Sequence, residues 1–127
     1  MIFIYTIIFW SIIYDIIGAL SILYLGYVSR YIGQINFSNI LSVILNKYFI
    51  IGAILAFASR IVFAIIDTTL AKNGFANSST SITFLISISM IISVLIINNI
   101  YLQEKLSSIQ IIGVIVMIIG LALIGMK

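Results

Sequence analysis

Proline, cysteine and histidine are all absent from this 127-residue chain. Without cysteine it can form no disulfide, offers no thiol for chemistry and lacks the ligand of most zinc sites. Without histidine it lacks the side chain that titrates most readily near neutral pH. Any proton chemistry must then fall to Asp15, Asp67 or Glu104, the only three acids. Charge is scarce too, at 7% of residues, while 64% are hydrophobic. A soluble domain of that make-up would present water with a continuous apolar surface. The composition therefore implies an integral membrane protein, one compact unit over residues 1–127, whose first partner is the lipid bilayer. The net charge of +3 is small and the lysines stand singly, which implies neither nucleic acid nor an acidic partner. The abundance of isoleucine carries no functional information.

What is present divides into four apolar runs, predicting an all-α, four-helix transmembrane bundle with helices over about 2–27, 48–71, 82–102 and 109–126. The first run has no basic region before it and is too long for a cleaved signal peptide. Its small and polar residues, Ser11, Asp15, Gly18, Gly26 and Ser29, recur at helical spacing on one face with Ile22, flanked by Trp10 and Tyr14. Residues 30–47 form the one sizeable connection. Within it 38–46, opening on Ser38 as an N-cap, can lie as a short interfacial helix or extend the next one. In the second run Ala53, Ala56, Arg60, Ala64, Asp67 and Ala71 share a face on which small residues admit a neighbouring helix. Residues 72–81 are a turn with Asn-Gly chemistry. The third run is rich in serine (Ser87, Ser89, Ser93), expected to hydrogen-bond between helices or to line a polar cavity.

Asp15 is the residue around which the rest is arranged. A charge at the bilayer centre costs about 2.5–3.5 kcal/mol on insertion scales, so an intramembrane acid is by default a functional candidate. Arg60 falls at a similar depth on an adjacent, oppositely running helix. The two can pair within a monomer or across a dimer, which lowers the desolvation cost of both. Left unpaired in an apolar hollow, Asp15 could exchange protons near neutral pH; held against Arg60 it would carry protons poorly. A free Arg60 would favour phosphate or carboxylate. Asp67 lies two turns from Arg60, about 10 Å along the axis, and reads as a solvated helix-end carboxylate. Glu104 and Lys105 read as headgroup-level turn residues.

Gly113 and Gly120, seven residues apart, share a face with Gln110, Met117 and Ile124 and make a flat groove for another helix. Packing within the chain is one use of it; self-association through the last helix is the favoured one. Four spans are too few to enclose a substrate path with two gates, whereas a homodimer of eight has enough. Basic residues divide almost evenly between Lys72, Lys127 and the amino terminus on one side and Arg30, Lys47 and Lys105 on the other. That balance gives the positive-inside rule little to act on, so an antiparallel pair is allowed.

The stretch Tyr101–Ile124, YLQEKLSSIQIIGVIVMIIGLALI, resembles the closing signature of the drug/metabolite transporter superfamily. There an apolar helix ends in a Gly-Glu-Arg-Leu-like turn followed by Gln-x-x-Gly and a second glycine. Glu104, Lys105, Leu106, Gln110, Gly113 and Gly120 stand at matching positions, with Gln103 in place of the usual glycine. The four-helix length is similar to that of the small multidrug resistance proteins. Tyr14-Asp15-Ile16-Ile17-Gly18 resembles the run that holds their essential membrane carboxylate, with Asp for Glu. The resemblance implies a dimer contact at Gly113 and Gly120. Thr83 and Ile86 stand where those exporters carry aromatics, and Arg60 is foreign to a cation exporter. The long connection and the start of the second helix, Asn46-Lys47-Tyr48-Phe49, look more like aminoarabinose-lipid flippase subunits and EamA-type half-transporters.

The expectation that follows is a multi-pass transporter of the cytoplasmic membrane, exporting a small molecule by proton-coupled alternating access in a homodimer. Asp15, Arg60, Tyr14, Trp10 and Asp67 would form the substrate or proton site, and Gly113, Met117 and Gly120 the dimer seam. The rival readings are a flippase for a polyisoprenyl-phosphate-linked sugar or other lipid, with Arg60 on the phosphate, and a non-transporting scaffold subunit. No phosphate-cradling loop, nucleophile–base pair or metal cluster is apparent, so neither an enzyme nor a cofactor is expected.

Overall fold

The computed structural model describes residues 2–34 and 36–125, with side chains omitted for residues 121, 122, 124 and 125. Among the described residues every regular element is helical. Helix α1 spans Ile2–Ile32, α2 Ile40–Ile44 after a 3-10 turn at Phe37–Asn39, α3 Lys47–Leu70, α4 Ser79–Tyr101 and α5 Ser108–Gly125. A wide turn at Ala71–Phe75 prolongs α3. Three helices, at 2–32, 47–75 and 79–101, are long and apolar enough to cross a membrane. Their outward faces carry large exposed aliphatic residues, among them Ile8, Ile12, Ile54, Ile61 and Ile96, a surface that suits lipid and not water.

Several boundaries differ from those predicted. The first helix runs to Ile32, five residues past Tyr27, because nothing between Gly26 and Ile32 disfavours a helix; it ends where Gly33 takes φ +69°. Ser38 lies inside the 3-10 turn and does not cap. Asparagines do that work: the Asn36 N–H donates to Asn39 Oδ1 at 2.8 Å, and Asn46 caps α3 by accepting from the Tyr48 N–H at 2.9 Å. The third span starts at Ser79, three residues early. The expected ends at Met126 and Lys127 lie outside the described residues.

Helix α1 is central. It packs along both α3 and α4, which touch each other much less. Small residues allow the approach. Gly52 of α3 sits so near α1 that an added Cβ would be 3.2 Å from the Ser21 carbonyl oxygen, and the Ser21 hydroxyl donates to the Gly52 carbonyl at 2.9 Å. Gly18 of α1 leaves room for the Met90 thioether, and Gly26 for Leu102. The buried core is Tyr14, Val62, Ile66 and Leu70, with Trp10, Ile86 and Met90 packed against it. The stripe Ala53–Arg60–Ala64 does not face this core: Ala53, Arg60 and Ala64 are exposed, while Gly52, Ser59, Val62 and Ile66 turn inward. The inward set offers both the closest approach and the larger apolar payload, so it takes the interface with α1.

The last helix takes little part in this packing. Leu102, 1% exposed, anchors the chain as it leaves α4. Gln103 then adopts φ +53°, and Asn99 Nδ2 donates to the Glu104 carbonyl at 2.9 Å. Ser107 and Gln110 open α5 as a reciprocal capping box: the Ser107 N–H donates to Gln110 Oε1 at 2.8 Å and the Gln110 N–H to Ser107 Oγ at 3.3 Å. Between α4 and α5 runs an open apolar groove of about 430 Å³, lined by residues such as Leu95, Asn99, Leu106 and Ile111.

At the same end of the molecule four tyrosines gather. The Tyr48 ring lies 5.5 Å from that of Tyr31, 5.6 Å from Tyr27 and 6.3 Å from Tyr24, with Lys47 Nζ 5.0 Å above its face. Arg30 donates to the Leu102 carbonyl at the end of α4, where the helix dipole favours a cation, and stands 4.0 Å from Glu104. Both charges of that pair are half exposed, so its contribution is small.

Candidate functional site

Asp15 stands 13 residues into α1 and 17 before its end, near the middle of the span. Its neighbour across the helix interface is Ser89, similarly central in α4. The Ser89 hydroxyl oxygen is 3.0 Å from Asp15 Oδ1, 2.9 Å from Oδ2 and 2.6 Å from the Ile86 carbonyl. One hydroxyl carries one proton, so it cannot serve all three acceptors at once. With Asp15 ionised, Ser89 donates to the carboxylate. With Asp15 protonated, the acid can donate to Ser89, which then turns its own hydrogen to Ile86. Both protonation states are thus given a hydrogen-bonded partner in the same packing, which a buried group that must change charge requires.

Asp15 and Arg60 form no ion pair among the described residues. Their helices are adjacent, but Asp15 is directed toward α4, whereas Arg60 sits on the outer side of α3 and lines a hollow of about 220 Å³ between α1 and α3. Tyr14, next in sequence to Asp15, lines that hollow as well, and so does Met90, next to Ser89. Two residue pairs therefore tie the acid's side of the molecule to the cation's. Trp10 packs on the Tyr14 core cluster and meets Phe9 edge-on at 5.6 Å.

Asp67 is less solvated than expected of a helix-end carboxylate: the residue is half-buried. Its Oδ1 is shut off from solvent with no hydrogen-bond partner among the described residues. Helical backbone runs on past Leu70 until Asn73 and Gly74 leave it, which puts Asp67 more than one turn inside. Of the α4 hydroxyls, Thr83 bonds to the Ser79 carbonyl and Ser87 to the Phe84 carbonyl of their own helix; among the described residues Ser89 alone also reaches across to another helix. Sequence reasoning named the serines as a group without singling out Ser89. Depth counting would have found it, since α1 and α4 run the same way and both residues fall mid-helix. Gly113 and Gly120 meet open space, with nothing within 4 Å of an added Cβ, and Met117 beside them is half buried.

Comparison with known family models, curated proteins and solved structures finds no match to this chain.

Proposed function

We propose that the chain is a four-span membrane transporter of the drug/metabolite type, exporting a small molecule across the cytoplasmic membrane as a homodimer. Asp15 is its proton-coupled site. One observation carries this reading: a carboxyl in the middle of a span, without a cationic partner among the described residues, with a hydroxyl from an adjacent helix able to partner it charged or neutral. The resemblance of residues 101–124 to that superfamily supports it. So does α5, whose open glycines and loose packing leave a face for a second copy.

Reconstituted protein is expected to move substrate against a proton gradient. Asp15→Asn abolishes that transport, because the amide cannot exchange a proton, while Asp15→Glu retains part of it. Transport by Asp15→Asn at the wild-type rate would end this reading.

Arg60, without a carboxylate partner among the described residues, favours a second reading, the flipping of a lipid-linked phosphate. On that reading Arg60→Ala harms transport more than Asp15→Asn. A scaffold subunit would show neither effect and only a change in stability.

A further inference from the structure

We infer that the hollow between α1 and α3 is a binding site for a single oxyanion group, a phosphate or carboxylate, held by the Arg60 guanidinium and the Tyr14 phenol. The inference deepens the anion reading above and does not depend on the role given to Asp15.

Arg60 lies 13 residues from the start of α3 and 10 from Leu70. At about 1.5 Å per residue it is roughly 15 Å from the nearer end, beyond the reach of its side chain to the headgroups. It has neither a carboxylate partner nor a hydrogen-bonded acceptor among the described residues. The side chains around the hollow explain what it lacks. Ser21 and Ser59 line it, but each hydroxyl already donates to a backbone carbonyl, of Gly52 and Ala56 respectively. Tyr14 is different. It is only 4% exposed, and its phenol oxygen, with no hydrogen bond among the described residues, is not one of the fully enclosed unpartnered atoms, so it keeps open space beside it. Two unspent donors, one of them charged, thus border a space that no acid lines. Such a donor set matches the oxygens of phosphate or carboxylate and rejects a cation.

Size narrows the ligand. Pockets for whole drug-sized molecules begin near ~300 Å³, and this hollow holds about 220 Å³. It suits the anionic group of a ligand whose remainder lies outside, or a free inorganic anion.

The test uses the purified full chain. One arm titrates inorganic phosphate onto protein in detergent; the other compares nanodiscs of phosphatidylcholine with nanodiscs also holding phosphatidic acid. Binding is read as a rise in thermal unfolding temperature and as an apparent affinity. Arg60→Ala should weaken binding about tenfold or more, and Tyr14→Phe, which keeps every charge, about two- to tenfold. Arg60→Lys should fall between wild type and Arg60→Ala, since an ammonium cannot grip an oxyanion with two parallel bonds. A response to phosphate identifies a soluble anion as ligand, and a response to phosphatidic acid alone identifies a lipid headgroup. The proposal is overturned if folded wild-type protein responds to neither, or if Tyr14→Phe and Arg60→Lys both bind as wild type does. Should Arg60→Ala fail to fold, those two variants decide. Phosphate binding that survives while Asp15→Asn transports normally would remove the export reading and leave this site standing.

Discussion

Gln103 adopts the left-handed conformation that ordinary residues avoid, at φ +53° in the turn before α5. A Cβ there costs about 1–2 kcal/mol, part of which glycine returns through its freer unfolded chain. Gln103→Gly should therefore raise stability by about 0.5–1 kcal/mol, read as a higher thermal midpoint in detergent. The positive φ is one that a glycine adopts freely. Ser89 offers a second measurement. Ser89→Ala removes the hydroxyl between Asp15 and the Ile86 carbonyl and should cost about 0.5–1.5 kcal/mol. In the Asp15→Asn background that cost should change, and the difference measures their coupling; strict additivity would show that the contact is idle. That Asp15 would need shelter was legible from one acid in a long apolar run. Which hydroxyl supplies it was not, because five serines and two threonines recur through that helix and only the packing of α1 on α4 selects among them.

The elements differ most in how their glycines are used. Gly52 is wedged against the Ser21 backbone, and widening it must push α3 off α1 and break the Ser21–Gly52 hydrogen bond. Gly52→Val should cost about 1–3 kcal/mol, the range for overpacking a close contact. Gly113→Val meets nothing in the protomer and should leave its unfolding temperature unchanged. On the dimer reading the same change lowers the dimer fraction on sizing in detergent; an unaltered fraction would move the seam away from α5. That the chain is all-helical, with membrane-spanning helices, could be read from the apolar runs, since each run is long and interrupted by asparagine, glycine or serine clusters; of the four runs, three give helices long and apolar enough to span. The ends could not. Ser38 looked like the cap of the short connecting helix, but it lies inside the 3-10 turn and Asn39 holds that position. The interior face of α3 was misjudged because alanine and glycine both count as small, and only glycine let the backbones close.

For the whole molecule, the distribution of basic residues decides how it enters a bilayer. Among the described residues Arg30, Lys47 and Lys105 lie at one end and Lys72 at the other. Neutralising Lys72 should bias insertion toward the Arg30 end facing the cytoplasm. The absence of native cysteine makes this measurable, because a single cysteine added at Asn77 or Ser38 reports its side by labelling from outside. An unchanged ratio would mean that these charges do not set orientation. The tyrosines carry a further consequence. Five of the seven, Tyr24, Tyr27, Tyr31, Tyr48 and Tyr101, belong to the Arg30 end. The far end has Phe3 stacked on Phe75 at 6.1 Å, and Tyr5. Phenols prefer the water–lipid boundary, so in a bilayer the Arg30 end should be held more firmly at its interface than the far end. On changing bilayer thickness, the mismatch should then be taken up at the phenylalanine end, with the tyrosine collar keeping its height.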